Sequence, residues 1–64
     1  MSTTALSVVI KELNNRRETI SKALADGTAR DYPEYRAMAG EIQGLSLAQS
    51  ILTDLVRQLE YDNE

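Results

Sequence analysis

Apolar residues recur along the first half of the chain with the spacing of an amphipathic helix, and they predict one helix over about 4–26. The members of this stripe are Leu6, Val9, Ile10, Leu13, Ile20 and Leu24. Arg16 and Arg17 interrupt it, and we expect their aliphatic stems to cover apolar surface while the guanidinium groups reach water. Gly27 predicts the end of the helix, because glycine adopts the left-handed conformation without strain.

The second half of the chain predicts a longer helix over about 32–61, after a connection at 27–31. Asp31 and Glu34 have the spacing of a capping box, and Pro33 lies in the first turn, where its missing N–H costs little. The N-cap candidates of the first helix are Ser2, Thr3 and Thr4. Because the connection is short, the helices should be antiparallel neighbours. The predicted fold is an all-α helical hairpin, a single domain over 1–64.

Two rows of residues spaced by seven form a coiled-coil seam along the second helix. The first row is Tyr35, Ile42, Gln49 and Val56, and the second row is Met38, Leu45, Leu52 and Leu59. Gln49 is the one polar member. A further apolar set flanks the seam, and it comprises Leu47, Ala48, Ile51 and Leu55. The apolar surface in this half is therefore wider than one partner helix needs.

Gly40 and Gly44 lie four residues apart inside the second helix, where each glycine costs about 1 kcal/mol relative to alanine. Ala37 and Ala48 extend the same row of small residues. This small-xxx-small spacing favours close approach of another helix. We expect the first helix of the same chain to pack there, so these four residues are the predicted helix-packing site. The alternative is that glycine is simply tolerated on an exposed face.

The surplus of apolar surface predicts a partner, because two helices enclose no interior. A chain of 64 residues without cysteine gains its stability from oligomerisation or regular helix packing. We therefore expect a homo-oligomer that completes a helical bundle, or docking onto a larger complex. The predicted interface residues are Leu47, Ile51, Leu52, Leu55, Val56, Leu59, Tyr32 and Tyr35. For the two tyrosines the alternative is packing over the helix junction and the turn.

Composition narrows the chemistry. Cysteine and histidine are absent, so thiolate ligands and the usual general base are missing. The acidic residues Asp31, Glu34 and Glu41 fit capping and solvated charge better than a metal site, which would need more converging oxygen ligands. We expect no catalytic residue, cofactor, metal or small-molecule substrate, and hence no enzyme.

Charge and hydropathy bear on the possible partners. A net charge of −3 argues against nucleic acid as a partner. No apolar run approaches the roughly 20 residues that span a bilayer, and the first residues lack a signal peptide pattern, so we expect a soluble intracellular protein without a membrane partner. Residues 37–64 carry one basic and five acidic side chains. The acidic side chains of this half either contact a basic partner or only keep the chain soluble.

The start of the second helix carries a distinctive pattern, Asp-Tyr-x-x-Tyr followed by Gly-x-Ile-x-Gly-Leu. It lies in residues 31–36, Met38, residues 40–42 and residues 43–45. With the preceding arginine pair, this pattern resembles small helical proteins of tailed bacteriophages that are encoded among virion morphogenesis genes. The resemblance covers about residues 10–60 and brings no catalytic residue. It implies a structural or assembly role in the host cytoplasm or the virion, with another phage protein as partner. The alternative is a small phage regulator that binds and inhibits a host protein.

Overall fold

The computed structural model describes residues 3–62, and in this range the chain is all-helical, with two helices and no strand. Helix α1 spans Thr3–Ala25 and helix α2 spans Tyr32–Asp62. They pack side by side as a hairpin that measures 50 × 15 × 15 Å. The predicted helices are confirmed to within one residue at each end. Ser2, one of the candidate N-caps, lies outside the described residues.

The end of α1 is closed by the predicted glycine. Gly27 has a φ of +75°, its N–H donates to the carbonyl of Leu24 at 3.0 Å, and the N–H of Thr28 donates to the carbonyl of Ala23 at 3.1 Å. This pair of bonds is the Schellman motif, which satisfies carbonyls that have no helical partner. The hydroxyl of Thr28 also donates to the Ala23 carbonyl, at 2.8 Å. The chain therefore leaves α1 in a fixed direction.

Asp31 caps the start of α2, as predicted. Its Oδ1 accepts from the backbone N–H of Glu34 at 2.9 Å, and its carbonyl accepts the first helical bond from Tyr35 at 3.0 Å. The Glu34 carboxylate accepts from Arg30 Nε at 3.0 Å. The capping-box spacing thus supplies the forward bond from Asp31, while Glu34 forms an ion pair on the connection.

The predicted seam is the face of α2 that α1 covers. Its members from Met38 to Leu59 are half-buried, Gln49 included, whereas Tyr35 at the start of the helix is exposed. On α1, Leu6 and Ile20 are the buried side chains, with 7% and 5% of their surface exposed. Among residues 4–61, whose side chains the structure describes, no others are buried. The core of the hairpin is therefore one thin layer between two helices.

Polar contacts cross the middle of this layer. Arg16 Nε lies 2.8 Å from Glu41 Oε2, so Glu41 is paired and not merely solvated. The Arg17 guanidinium was expected to reach water, but it is half-buried. It donates to Asn14 Oδ1 at 2.7 Å and to Ser46 Oγ at 3.3 Å. The contacts with Glu41 and Ser46 thus join the central part of α1 to the first half of α2.

Candidate interaction face

One side of α2 carries an apolar stripe that α1 does not cover, and we call this stripe the back face. It consists of Ala37, Gly40, Gly44, Leu47, Ile51 and Leu55, all exposed. At 3.6 residues per turn these six positions fall within an arc of about 80°, and its centre lies about 140° around the helix axis from the seam. The stripe is about 27 Å long at 1.5 Å per residue.

The large residues of the back face lie in its C-terminal half. Leu47, Ile51 and Leu55 have 64%, 58% and 40% of their surface exposed. They recur at intervals of four, which keeps them on one side of the helix. Single exposed apolar residues are ordinary on a protein surface, but a contiguous row of this kind is typical of an interaction site.

The expectation that α1 packs against the glycines is wrong for the hairpin. Gly40 and Gly44 are exposed, and a Cβ added to either would meet nothing within 4 Å. The reason is the helical period, because Ile42 and Leu45 face α1 and the glycines then point away from it. Ala37 is exposed as well, while Ala48 is half-buried at the edge between the two faces. The small residues and Leu47 thus belong to one continuous surface.

The predicted interface residues divide between the two faces of α2. Leu47, Ile51 and Leu55 belong to the back face. The structure places the other three aliphatic members in the seam, half-buried against α1; they are Leu52, Val56 and Leu59. The hairpin itself accounts for the apolar character of these seam residues.

Tyr32 and Tyr35 stack at the start of α2. Their ring centroids lie 6.2 Å apart and the ring planes are inclined by 26°. The exposed fraction of the surface is 69% for Tyr32 and 49% for Tyr35. They stack on each other, and most of Tyr32 and about half of Tyr35 stay in solvent. An exposed aromatic pair is suited to contact with a partner, where tyrosine is enriched.

Two charges flank the back face, and sequence reasoning missed their relationship. Arg36 and Asp54 are exposed and lie eighteen residues apart, which is five helical turns, so both lie on the same flank. Neither forms an intramolecular ion pair within the part of the chain that the structure describes. The signal was present in the sequence as a five-turn spacing, but it has meaning only once the back face is known.

Three acidic residues have structural roles, and the described residues form no cluster of three or more His, Cys, Asp or Glu able to hold a metal. Asp31 caps α2, Glu34 pairs with Arg30, and Glu41 pairs with Arg16. No pocket is found between the helices over this range. Within the same residues, neither helix combines the length and apolar character that crossing a membrane requires.

The geometry therefore offers a surface for contact between helices, made of an open row of small residues, a row of large aliphatic ones and two flanking charges. Comparison of the chain with protein-family models, with curated proteins and with solved structures finds no match. The back face is consequently the feature from which a function can be argued.

Proposed function

We propose that the chain is a non-enzymatic interaction protein that acts through helix–helix contact, as a structural or assembly component of a tailed bacteriophage. The observation that supports the contact role is the exposure of Leu47, Ile51 and Leu55 along one side of α2. The phage setting rests on the resemblance of about residues 10–60 to small virion-associated proteins.

Energetics favour a partner on the back face. Full burial of a leucine or isoleucine side chain stabilises by about 1.5–3 kcal/mol, so covering three partly exposed ones supplies several kcal/mol per chain. The hairpin buries only Leu6 and Ile20 among the side chains that the structure describes. Small domains commonly have a free energy of unfolding near the low end of about 5–15 kcal/mol. The free energy gained when a partner covers the back face is thus large relative to the free energy of unfolding of the hairpin alone.

The role is tested in particles of the phage whose genome encodes the chain. We expect quantitative mass spectrometry of purified particles, or of their assembly intermediates, to find the chain at fixed stoichiometry. An Ile51→Glu chain should be lost from them, because the carboxylate would be buried without a partner. The matched control is Val8→Glu, since Val8 is 56% exposed on α1 and lies outside the back face.

The outcomes separate the two classes of function. Absence of the native chain from particles and assembly intermediates, together with early expression, would replace the structural role by the regulator of a host protein. Incorporation of Ile51→Glu at the native level would show that the back face is not the contact surface.

A further inference from the structure

We propose that the back face of α2 binds the back face of a second copy, with the two α2 helices antiparallel about a two-fold axis. This rests on the proposed function in taking the back face as the contact surface, and it adds the occupant and the geometry. Two properties of the face support it independently: the order of small and large residues, and the placement of two charges.

The small and large residues are arranged for antiparallel self-pairing. Gly44 and Leu47 lie equally far on either side of the point between residues 45 and 46, and Gly40 and Ile51 do the same. In an antiparallel pair centred on this point, Leu47 and Ile51 each lie opposite a glycine of the other copy. Ala37 and Leu55 continue the pattern to within one residue. A two-fold axis at this point therefore sets every large side chain of one copy against a small residue of the other.

The glycines provide space for these side chains. Nothing lies within 4 Å of a Cβ built on Gly40 or Gly44, so a shallow depression runs along the N-terminal half of the back face. Small residues at a helix contact let the axes approach to the lower part of the usual range of about 8–10 Å. Leu47 and Ile51 of the second copy fit this depression, and the two glycine positions then have a use that the hairpin does not give them.

The flanking charges obey the same symmetry. Arg36 and Asp54 lie on one flank, at opposite ends of the back face and within one residue of equidistance from the same central point. In an antiparallel pair related by a two-fold axis, like flanks of the two helices meet. Arg36 of each copy then lies beside the opposite charge of the other copy, at both ends of the contact. Complementary charges of this kind fix register and orientation.

A parallel pair lacks these matches. It would set Leu47 against Leu47 and glycine against glycine, so one half would be crowded and the other would contain a void. Its two-fold axis would run along the helices and place like flanks on opposite sides of the contact, so Arg36 of one copy would not meet Asp54 of the other. Helix α1 does not obstruct either arrangement, because it packs about 140° away around the α2 axis. The antiparallel pair is the arrangement that the residue order favours.

Orientation is tested by disulfide formation between two single-cysteine chains, since the native chain has no cysteine. One chain carries Ala37→Cys and the other Leu55→Cys, both full length, mixed in equal amounts under mild oxidation. Antiparallel pairing is expected to give the mixed disulfide as most of the product, against the half that random pairing would give. Predominance of the two homodimeric disulfides would indicate parallel pairing and overturn the proposal.

A charge exchange tests the register without touching the apolar contact. Arg36→Asp alone, or Asp54→Arg alone, places like charges at both ends of the dimer. We expect the dimer dissociation constant to rise about tenfold at low salt, since an exposed pair is worth up to about 1 kcal/mol and each dimer has two. The double exchange restores the opposite pairing and should return the dissociation constant to within about threefold of the native value.

Circular dichroism shows whether each variant folds. If one does not, sedimentation equilibrium of the native chain still tests whether the dimer forms. A dimer at micromolar concentration is expected. A native chain that stays monomeric up to about millimolar concentration, or a dimer indifferent to all three charge variants, would overturn the proposal. Neither result would disturb the proposed function if particles still contain the native chain and reject Ile51→Glu. Conversely, a dimer that never enters particles would leave this inference standing and remove the phage role.

Discussion

Arg16 Nε on α1 lies 2.8 Å from Glu41 Oε2 on α2, and this ion pair joins the two helices across their shared surface. The neighbouring Arg17 donates to Ser46 Oγ, five residues further along α2 than Glu41. The two contacts together fix how far the helices are shifted along each other. Because the rest of the layer is half-buried aliphatic contact, which has little directional preference, these polar contacts select one register.

The Arg16–Glu41 pair should contribute little to stability despite its short distance. The side chains are 59% and 43% exposed, so solvent screens the attraction. We expect a double-mutant cycle with Arg16→Gln and Glu41→Gln to give a coupling energy of about 0.2–1 kcal/mol. Urea unfolding at one protein concentration provides the measurement, and the Arg30–Glu34 pair is the control within one segment. A coupling above about 2 kcal/mol would mean that the pair is more buried than this geometry indicates.

Local features of the fold were predictable because their causes lie within a few residues. The Asp31 cap and the Gly27 terminus follow from single residue types, and the seam follows from a period of seven. The prediction that Gly40 and Gly44 face α1 is wrong, because the helical period that turns the seam toward α1 turns the glycines away from it. The contact of Arg17 with Ser46 was beyond the sequence, since it depends on the register between the helices.

Alanine at the two back-face glycines should stabilise the isolated hairpin. A Cβ at Gly40 or Gly44 meets nothing, and alanine is favoured over glycine inside a helix by about 1 kcal/mol. We therefore expect Gly44→Ala to raise the free energy of unfolding by up to about 1 kcal/mol, measured at a concentration where the chain is monomeric. Gly27→Ala is the opposing control, because its φ of +75° strains any side chain, and it should lower stability by about 1 kcal/mol.

The structure would be contradicted if Gly44→Ala lowered the free energy of unfolding or if Gly27→Ala did not lower it. A loss of stability in monomeric Gly44→Ala would mean that α1 does contact this position. An unchanged stability in Gly27→Ala would mean that the α1 terminus does not depend on the left-handed conformation of this residue.

Removal of the α2 cap should destabilise the chain measurably. Asp31 Oδ1 accepts the Glu34 N–H at 2.9 Å, and loss of such a cap costs about 0.5–2 kcal/mol. We expect Asp31→Ala to lower the unfolding midpoint in circular dichroism, while Asp31→Asn retains most of the native value because an amide oxygen can accept the same bond. Asp26→Ala, in the exposed turn that follows α1, serves as the control for charge alone. Equal effects of Asp31→Ala and Asp26→Ala would argue against a capping role.

Arg17 presents the clearest conflict between stability and specificity in the hairpin. Its position continues the inner stripe of α1 between Leu13 and Ile20, yet it carries a half-buried charge whose partners are Asn14 and Ser46. Replacement of buried charged groups by aliphatic ones of similar size is often neutral or stabilising. We expect Arg17→Leu to raise the free energy of unfolding by about 1 kcal/mol, because the new side chain gains apolar contact and both former partners can reach water. Arg17→Ala should lower it by about 1 kcal/mol, since the aliphatic stem is lost as well.

The same Arg17→Leu change should weaken the choice of a single assembly. A polar residue in an apolar helix seam restricts register and oligomeric state, because other arrangements leave its hydrogen bonds unmade. Sedimentation velocity of Arg17→Leu is expected to show a broader range of species than the native chain, despite the higher unfolding midpoint. Lys22→Leu is the matched control, since Lys22 is exposed on α1 and the substitution adds the same side chain away from the seam. If Arg17→Leu were both less stable and uniform in size, the hydrogen bonds to Asn14 and Ser46 would be the larger effect, and the polar centre would stabilise the hairpin directly.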